Sequence, residues 1–410
     1  MFLRVFYKER GINMPRALKI LVIGMFMNVT GASFLWPLNT IYIHNHLGKS
    51  LTVAGLVLML NSGASVVGNL CGGVLFDKIG GYKTIMLGIV ITLVSLLGLI
   101  FFHQWPYYIW LLTIVGFGSG VVFPASYAMA GSIWPEGGRK AFNAIYVAQN
   151  AGVAVGSALG GAVAAFSFTY VFMANAMLYA VFFFIVYFGF RNIQSKQAAQ
   201  TSILDFEPVS SRASFTALMI LSSGYVLGWV AYSQWSTTIA SHTQSIGMSL
   251  SLYSVLWTVN GILIVLGQPL VGFLVKKWAE SLKAQMVIGF VIFIMSYGIL
   301  LAAKQFHMFL AAMIILTIGE MLVWPAVPTI ANKLAPKGKE GFYQGFVNSA
   351  ATGGRMIGPL FGGVLVDKYG IHVLVIALMV LLLASIVTTV IYDRRLPSSD
   401  DGNQTRTISS

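Results

Sequence analysis

The chain has 410 residues, of which 57% are hydrophobic and only 9% are charged. Soluble domains carry roughly 25% charged residues because their surfaces face water, so this composition excludes a water-soluble globular protein. Cys71 is the only cysteine, which excludes an intrachain disulfide and a cysteine-rich metal site. The formal net charge of +13 is compatible with nucleic-acid binding, unless the basic residues are confined to the loops of a membrane protein.

Apolar runs that are long enough to cross a membrane recur along the whole chain. A helix needs about 20 predominantly apolar residues to span the hydrocarbon core. Twelve runs of this kind are predicted, at 17–45, 52–76, 84–102, 107–132, 141–166, 168–190, 213–240, 249–275, 284–303, 307–334, 342–366 and 372–392. The sequence therefore predicts an all-α integral membrane protein with twelve transmembrane helices.

The basic residues lie almost entirely on one side of these predicted helices. If both termini are cytoplasmic, the termini, the even-to-odd loops and the adjoining helix ends hold 21 of the 25 Lys and Arg. An excess of Lys and Arg in cytoplasmic loops is the usual orientation signal of membrane proteins. We therefore expect a multi-pass protein of the cell membrane with both termini in the cytoplasm, and no nucleic-acid partner.

The second group of six runs repeats the first, most clearly between 118–161 and 319–363. Pro124 and Pro325 are separated by 201 residues, as are Pro135 and Pro336. Internal repeats of this kind are typical of transporters, which bind substrate between two related halves near the bilayer midplane. The expected organisation is a six-helix bundle at 1–190, a cytoplasmic linker at 191–212, a second bundle at 213–395 and a disordered tail at 396–410.

A motif rich in glycine and charge joins the second and third predicted helices. It reads G-V-L-F-D-K-I-G-G-Y-K from position 73 to position 83. A carboxylate at this helix end can accept backbone N–H bonds from a nearby helix N-terminus, or it can pair with a basic side chain. The motif resembles the G-x-x-x-D-[RK]-x-G-[RK]-[RK] signature of the major facilitator superfamily, although positions 81 and 82 depart from it. The residues that match are Gly73, Asp77, Lys78, Gly80 and Lys83.

This resemblance implies the major facilitator fold, in which two pseudo-symmetric six-helix halves alternate access to a central cavity. It also implies that Asp77 and the matching residues around it form a conformational latch on the cytoplasmic side. The alternative is a charged turn that only sets topology. The equivalent turn of the second half, before Lys276, lacks the acid.

Glycines recur every four residues in the fifth and eleventh predicted helices. This spacing leaves one helix face bare, so a neighbouring backbone can approach closely. Pro359 can also bend the eleventh helix, and this helix resembles the G-x-x-x-G-P-x-x-G-G signature of drug:proton antiporters. Generic close packing is the alternative. The glycines are Gly152, Gly156 and Gly160 in the fifth helix and Gly354, Gly358 and Gly362 in the eleventh.

Glu320 is the only one of the 12 acidic residues that lies deep within a predicted span. Placing an acid near the centre of a transmembrane helix costs roughly 2.5–3.5 kcal/mol, so an acid at this depth is a functional hypothesis by default. We expect Glu320 to carry a coupling proton, with Arg355 as its partner. A structural ion pair between the two residues is the alternative, and a proton-coupled carrier can combine both roles.

Aromatic and amide side chains form stripes on the fifth, seventh, eighth and eleventh predicted helices. Such side chains suit a cavity for bulky, partly apolar or cationic ligands, although aromatic residues also form interfacial belts. The predicted cavity residues are Asn143, Tyr146, Asn150, Tyr225, Trp229, Tyr232, Tyr253, Trp257, Asn260, Gln344 and Asn348.

Motifs of catalysis and of ATP hydrolysis are missing. None of the six histidines lies in an H-E-x-x-H motif, and no phosphate-binding loop is visible, so neither a metal-dependent hydrolase nor an ATP-driven pump is expected. Two marks of drug antiporters are also missing, because Ile114 stands where they carry an arginine and the first helix has no acid. The sequence predicts a monomeric secondary carrier without cofactors, which exports amphipathic compounds in exchange for protons. The alternative is a carrier of a specific metabolite (a sugar, a peptide or a lipid precursor), with or without proton coupling.

Overall fold

The computed structural model describes residues 14–35, 38–49, 51–164, 166–190, 208–278 and 281–396, and all regular structure in these ranges is helical. Most of the predicted linker and of the predicted tail lies outside the described residues. The first ten long helices are α1 Arg16–Leu35, α2 Leu51–Ile79, α3 Gly81–Phe101, α4 Tyr107–Ile133, α5 Arg139–Ala164, α6 Phe168–Phe190, α7 Pro208–Ser233, α8 Leu250–Trp278, α9 Leu282–Leu301 and α10 Phe306–Leu334.

The last helical stretch, Glu340–Ile391, contains 52 residues and makes two crossings. At 1.5 Å per residue a straight helix of this length would measure about 78 Å, more than twice the hydrocarbon thickness of about 30 Å. Gly370 interrupts the helix with a φ of 81°, a left-handed conformation that costs glycine little because it has no side chain. The parts before and after it, 340–369 and 371–391, are named α11 and α12. Together with α1 to α10 they confirm the twelve predicted crossings.

Two predicted spans are divided in the structure. Within the span predicted at 17–45, α1 ends at Leu35, and the short helical segments Asn39–Ile41 and Tyr42–His46 follow it. Within the span predicted at 213–240, α7 ends at Ser233, and a separate helix covers Thr238–Ser245. Apolar composition predicted these two runs correctly as membrane segments, but it does not mark the breaks within them.

Polar side chains at the end of α7 account for the second break. The amide of Gln234 donates to the carbonyl of Val230 over 2.9 Å, and the hydroxyl of Thr237 donates to the carbonyl of Ser233 over 3.1 Å. Side chains of this kind compete with the backbone for the last carbonyl groups of a helix. The chain therefore leaves α7 through a short turn before the helix Thr238–Ser245 begins.

The apolar core is built separately in the two halves of the chain. Two clusters of buried residues, which include Phe142 and Phe172, come only from α1 to α6 and their connections. A third cluster, around Phe290 and Phe309, comes from α7 to α12, and Tyr146 is the one described residue of the first half that joins it. The outer faces of α3, α6, α9 and α12 expose large apolar side chains, which suits a surface in contact with lipid.

The two halves meet on the side of the membrane that holds the α2–α3 and α10–α11 connections, here called the linker side. A Cβ built on Gly73 of α2 would lie 2.3 Å from the carbonyl oxygen of Gly341 of α11, and the reverse distance is also 2.3 Å. Farther along the same pair of helices, a Cβ on Gly345 would lie 2.4 Å from the carbonyl oxygen of Asn69. The hydroxyl of Ser349 donates to a carbonyl of α2 over 3.1 Å. Close backbone packing therefore closes the linker side.

The two glycine ladders lie at equivalent helix contacts in the two halves. A Cβ built on any of the three α5 glycines would lie within 3.0 Å of a backbone atom of α1. In α11 the added Cβ would lie within 2.7 Å of Val226, Ser233 or Gln234, in α7 and the turn after it. The repeat therefore places the same close contact between α5 and α1 and between α11 and α7.

Candidate functional site

Glu320 lies at the middle of α10, with only 3% of its surface exposed. The hydroxyl of Tyr146 donates a hydrogen bond to Oε1 over 2.9 Å, and the hydroxyl of Tyr232 donates to Oε2 over 3.0 Å. The amide of Asn260 donates to Oε2 over 2.8 Å and to the hydroxyl of Thr317 over 2.9 Å. Three donors thus satisfy a carboxyl group whose burial would be costly without partners.

The two oxygens of this carboxyl have different partners. Oε1 accepts from Tyr146, which belongs to α5 of the first half, so this bond crosses the interface between the halves. Both bonds to Oε2 come from the second half, from Tyr232 of α7 and Asn260 of α8. An amide nitrogen can only donate, whereas a tyrosine hydroxyl can donate or accept. A proton on Oε1 therefore faces only a hydroxyl, whereas a proton on Oε2 shares that oxygen with an amide donor.

A stack of aromatic rings lies beside the carboxyl. The rings of Trp229 and Trp324 are nearly parallel, with centroids 4.5 Å apart. The guanidinium of Arg355 lies 4.7 Å from the centroid of Trp229, a distance at which a cation is attracted to the ring face. In the described chain no ion pair joins Arg355 to Glu320, and the carboxyl is held by neutral donors instead. The expected partnership of the two residues is therefore not formed in this conformation.

Arg355 indicates where a cavity lies between the halves. The residue is exposed although it lies at the centre of α11. Its guanidinium donates to the hydroxyl of Thr352 over 3.2 Å, and that hydroxyl also accepts from the amide of Asn69 in α2 over 3.3 Å. This face of α11 therefore points toward the first half, and the exposed guanidinium lines a space that water can enter.

The remaining aromatic residues predicted for the cavity continue the same wall. Tyr225 packs edge-on against Trp324, with centroids 5.5 Å apart. Trp257 donates from Nε1 to the hydroxyl of Tyr253 over 2.9 Å, and Tyr253 donates to the carbonyl of Trp235. Aromatic side chains of α7, α8 and α10 thus form one continuous group next to the buried carboxyl.

The amides predicted for the cavity lie apart from the carboxyl, except for that of Asn260. Asn150 and Asn348 donate to carbonyls four residues earlier in their own helices, over 2.9 and 2.8 Å. Gln344 donates to a carbonyl of α10 over 2.7 Å. Among the described residues, Oδ1 of Asn143 and Oε1 of Gln344 are buried without a hydrogen-bond partner. These two oxygens can accept from a water or from a polar group of a ligand.

Asp77 caps the N-terminus of α11 from the opposite half. Its Oδ1 accepts from the N–H of Gly341 over 2.7 Å, and its Oδ2 accepts from the N–H of Phe342 over 2.8 Å. The first N–H groups of a helix have no partner within the helix and carry the positive end of its dipole, so a carboxylate is well suited to them. The sequence predicts either a helix N-terminus or a basic side chain as the partner of Asp77, and in the structure the partner is the helix N-terminus.

The other residues of the expected latch lie around this contact. Gly73 packs against Gly341 just inside the cap. Gly80 has a φ of 84°, which glycine adopts without strain, and it turns the chain from α2 into α3. Lys78 and Lys83 are exposed on the linker side. Their part in a latch stays a prediction.

The sequence did not predict one further contact between the halves, made by Arg139, or two neighbours of the carboxyl. Arg139 of α5 donates from Nη2 to the carbonyl of Met321 over 2.9 Å. In an unbroken helix this carbonyl would accept from residue 325, but Pro325 has no N–H. Pro325 thus indicates, from the sequence alone, that the carbonyl of Met321 has no partner within the helix. Nothing in the sequence indicates that Arg139 is the donor. Thr317 and Trp324 lie one helical turn before and after Glu320, so their spacing could have predicted that they are its neighbours.

Two related halves of six helices that meet around a buried carboxyl are typical of membrane transporters, which bind substrate between such halves. In the described residues no group of three His, Cys, Asp or Glu could hold a metal ion. The sequence pattern of the Major Facilitator Superfamily matches residues 21–284 and 238–408. The chain thus belongs to the Major Facilitator Superfamily, and it is a secondary transporter, not an enzyme.

Several known transport proteins are similar to this chain over most of its length. It is 83% identical to the uncharacterized MFS-type transporter YttB of Bacillus subtilis, over 97% of this chain and 100% of that protein. It is 23% identical to the Na(+), Li(+), K(+)/H(+) antiporter of Planococcus maritimus, over 84% and 88% of the two chains. The same identity, over 85% and 87%, relates it to the multidrug resistance protein MdtH of Aeromonas hydrophila. The human organic anion transporter MFSD10 has the same fold, with a TM-score of 0.76 over 92% of this chain and 100% of that chain at 14% identity.

Proposed function

We propose that the protein exports amphipathic small molecules from the cytoplasm in exchange for protons, with Glu320 as the proton carrier. The observation that carries this proposal is the hydrogen bond from Tyr146 to Oε1 of Glu320, which links the titratable group to the interface between the halves. A coupling proton must change the relative stability of the two conformations of a carrier. A carboxyl that is bonded across the moving interface has the required position.

The hydrogen-bond pattern supports a direction for this coupling. While Glu320 is ionised, Tyr146 donates to a charged oxygen, and such bonds are roughly twice as strong as neutral ones. A proton on Oε1 turns the bond into a neutral one, because the carboxyl then donates to the tyrosine oxygen. Protonation therefore weakens one of the contacts that hold α5 against α10. The closed linker side is favoured by the ionised carboxyl and opens more readily after protonation.

The cavity wall supports amphipathic compounds as the substrate class. Aromatic rings such as Trp229, Trp324 and Tyr225 offer apolar faces and room for stacking. The guanidinium of Arg355, which lies against the ring of Trp229, offers a polar contact to the same ligand. The names of the distant relatives in Aeromonas hydrophila and Planococcus maritimus agree with drug export and with proton antiport respectively.

Arg355 favours a second candidate function. An exposed guanidinium at the centre of α11 is a fixed positive charge in the cavity, and the ring of Trp229 holds it in place. It suits a carboxylate or phosphate group better than a cationic drug. The alternative is therefore a carrier of a specific anionic metabolite, with or without proton coupling.

A substrate panel in inverted membrane vesicles distinguishes the two functions. The panel contains cationic, neutral and anionic amphiphiles together with small anionic metabolites, each measured with and without an imposed pH gradient. We expect uptake of amphiphiles into the vesicles to increase at least several-fold with the gradient. Gradient-independent uptake of small anions alone would favour the metabolite carrier.

Glu320→Gln tests the role of the carboxyl within the same assay. Glutamine keeps the shape of the side chain but cannot bind or release a proton. We expect gradient-driven transport to be abolished, while exchange of substrate without a gradient survives. Full uphill transport by this variant would contradict proton coupling through Glu320.

A further inference from the structure

A second cavity lies at the periphery of the second half, on the side opposite the linker. It has a volume of about 310 Å³. Its ten lining residues come from the helix Thr238–Ser245 and the residue after it, the end of α9, the α9–α10 connection and the start of α12. Its walls are mainly apolar and include Ile239, Leu300 and Ile371. This volume is at the lower end of the range of roughly 300–1,000 Å³ found for ligand pockets.

Three basic side chains line this apolar cavity. They are His242, Lys304 and His372, and none of the ten lining residues is acidic. The two imidazoles interact electrostatically with each other. No carboxylate of the described chain lies within ion-pair distance of any of the three. Lys304 carries a formal positive charge, and the two imidazoles beside it can donate hydrogen bonds. Because no acidic side chain of the cavity neutralises the ammonium, an anion from outside the chain suits the site.

The cavity is separate from the central site and borders the lipid-facing surface. The hydrogen-bond partners of Glu320 come from α5, α7 and α8, and none of them lines the cavity. Next to it on α12, the apolar side chains of Val373 and Ile376 are 42% and 53% exposed. Lys304 and His372 are also exposed, at the helix ends where lipid headgroups lie. A lipid can therefore reach the cavity sideways from the bilayer.

We infer that this cavity binds an anionic phospholipid of the leaflet opposite the linker side. One acyl chain fills the apolar groove between Leu300, Ile239 and Ile371, and the phosphate lies among His242, Lys304 and His372. Imidazole and ammonium groups donate hydrogen bonds to phosphate oxygens, and the ammonium also supplies a positive charge. The proposal does not depend on the substrate or on proton coupling.

Native mass spectrometry of the purified full-length protein tests the proposal with four probes. Dioleoyl phosphatidylglycerol is the anionic phospholipid, and dioleoyl phosphatidylcholine has the same chains without net charge. Oleate is a carboxylate amphiphile with one chain, and inorganic phosphate has no chain. We expect phosphatidylglycerol to be retained most strongly, and phosphate alone to be retained least.

Substitutions locate the bound lipid. Because each basic residue near an anionic lipid contributes a similar attraction, Lys304→Gln should weaken phosphatidylglycerol retention about fivefold, and adding His242→Gln and His372→Gln should weaken it further. Phosphatidylcholine retention should not change. Leu300→Trp fills the groove and should reduce retention of both phospholipids. Lys49→Gln removes a lysine on the same side of the membrane in the first half, and it should have no effect.

Four outcomes would overturn the proposal. They are equal retention of the two phospholipids, unchanged phosphatidylglycerol retention in Lys304→Gln and in the triple variant, equal retention of oleate, and full competition by inorganic phosphate. The last two would assign the site to a fatty acid or to a free anion. Thermal unfolding without added lipid checks that each variant is folded. Since Lys304 and His372 are exposed, their replacement should leave the unfolding temperature unchanged.

Discussion

Two tyrosine hydroxyls reach the carboxyl of Glu320, one from each half of the molecule. Tyr146→Phe removes the donor that crosses the interface, and Tyr232→Phe removes a donor within the second half. Hydrogen bonds to charged groups contribute roughly 1.5–3 kcal/mol, so each change should have a similar cost in stability. Only Tyr146→Phe should shift the conformational equilibrium toward an open linker side, by about tenfold or more.

Distances between spin labels on the two halves measure this shift. Glu136 and Lys337 are exposed, lie on the linker side and belong to different halves, so both can carry a label in a Cys71→Ser background. The distance should increase in Tyr146→Phe and stay as in the parent protein in Tyr232→Phe. Equal shifts in the two variants would mean that Tyr146 only stabilises the carboxyl and does not link it to the interface.

At the scale of helices, the cap of α11 can be weakened from either partner. Asp77→Asn leaves one acceptor oxygen for two N–H groups, and Phe342→Pro removes one of the two donors. Proline is tolerated in the first turn of a helix, where the N–H has no intrahelical partner. Both variants should slow transport and open the linker side, while substrate affinity stays within a few-fold. Phe342→Leu keeps the N–H and is the matched control.

Transport rates, binding affinities and the same label distances separate a latch from a binding residue. A latch predicts altered distances with nearly unchanged affinity. Strongly weakened binding with unchanged distances would assign Asp77 to substrate recognition instead. Normal transport in Asp77→Asn would support the simpler interpretation of this motif as a charged turn that only sets topology.

The glycine contact between α11 and α7 makes a second prediction at this scale. A side chain at Gly358 would meet Ser233, whereas a Cβ at Gly353 meets no atom within 4 Å. Gly358→Leu should lower stability by about 1–3 kcal/mol through overpacking and impair transport, and Gly353→Leu should change neither. Gly358→Ala should be milder, because the hydroxyl of Ser233 can rotate away. Adding Ser233→Ala should restore its stability.

Thermal unfolding of the purified variants in one detergent measures these differences. Gly353→Leu is the control for the effect of leucine on helix propensity and on detergent binding. If Gly358→Leu unfolds at the same temperature as Gly353→Leu and transports normally, close packing at this position is not required.

The helices could be predicted from the sequence more fully than the hydrogen-bond partners of Glu320 and Arg139. Long apolar runs mark membrane helices, and Glu320 was recognisable because an acid within such a run is rare. Tyr146 and Asn260 were predicted for a cavity, but not as donors to this carboxyl, since helical periodicity gives no relative rotation of two helices. Arg139 could not be paired from the sequence, because its acceptor is a main-chain carbonyl. Gly370 was read as part of a loop, since a left-handed residue has no hydropathy signal.

At the scale of the whole molecule, the orientation in the membrane can be tested directly. Lys368 and Lys337 are exposed at opposite ends of the second half. In a Cys71→Ser background, Lys368→Cys should react with a membrane-impermeant maleimide in intact cells. Lys337→Cys should react only after the cells are permeabilised. The reverse pattern would place the termini outside and would invert the proposed direction of transport.

The cap of α11 has a consequence for how this protein can change during evolution. The groups that Asp77 binds are main-chain N–H groups, which every amino acid except proline supplies. The side chain at position 342 can therefore change without loss of the contact. Gly341 is restricted only by its packing against Gly73, and the acid has no substitute of equal reach and charge. A search for correlated substitutions would find no partner for Asp77, although its contact joins the two halves. The contact between the halves would therefore appear in an alignment as separate invariant positions and not as a pair that changes together.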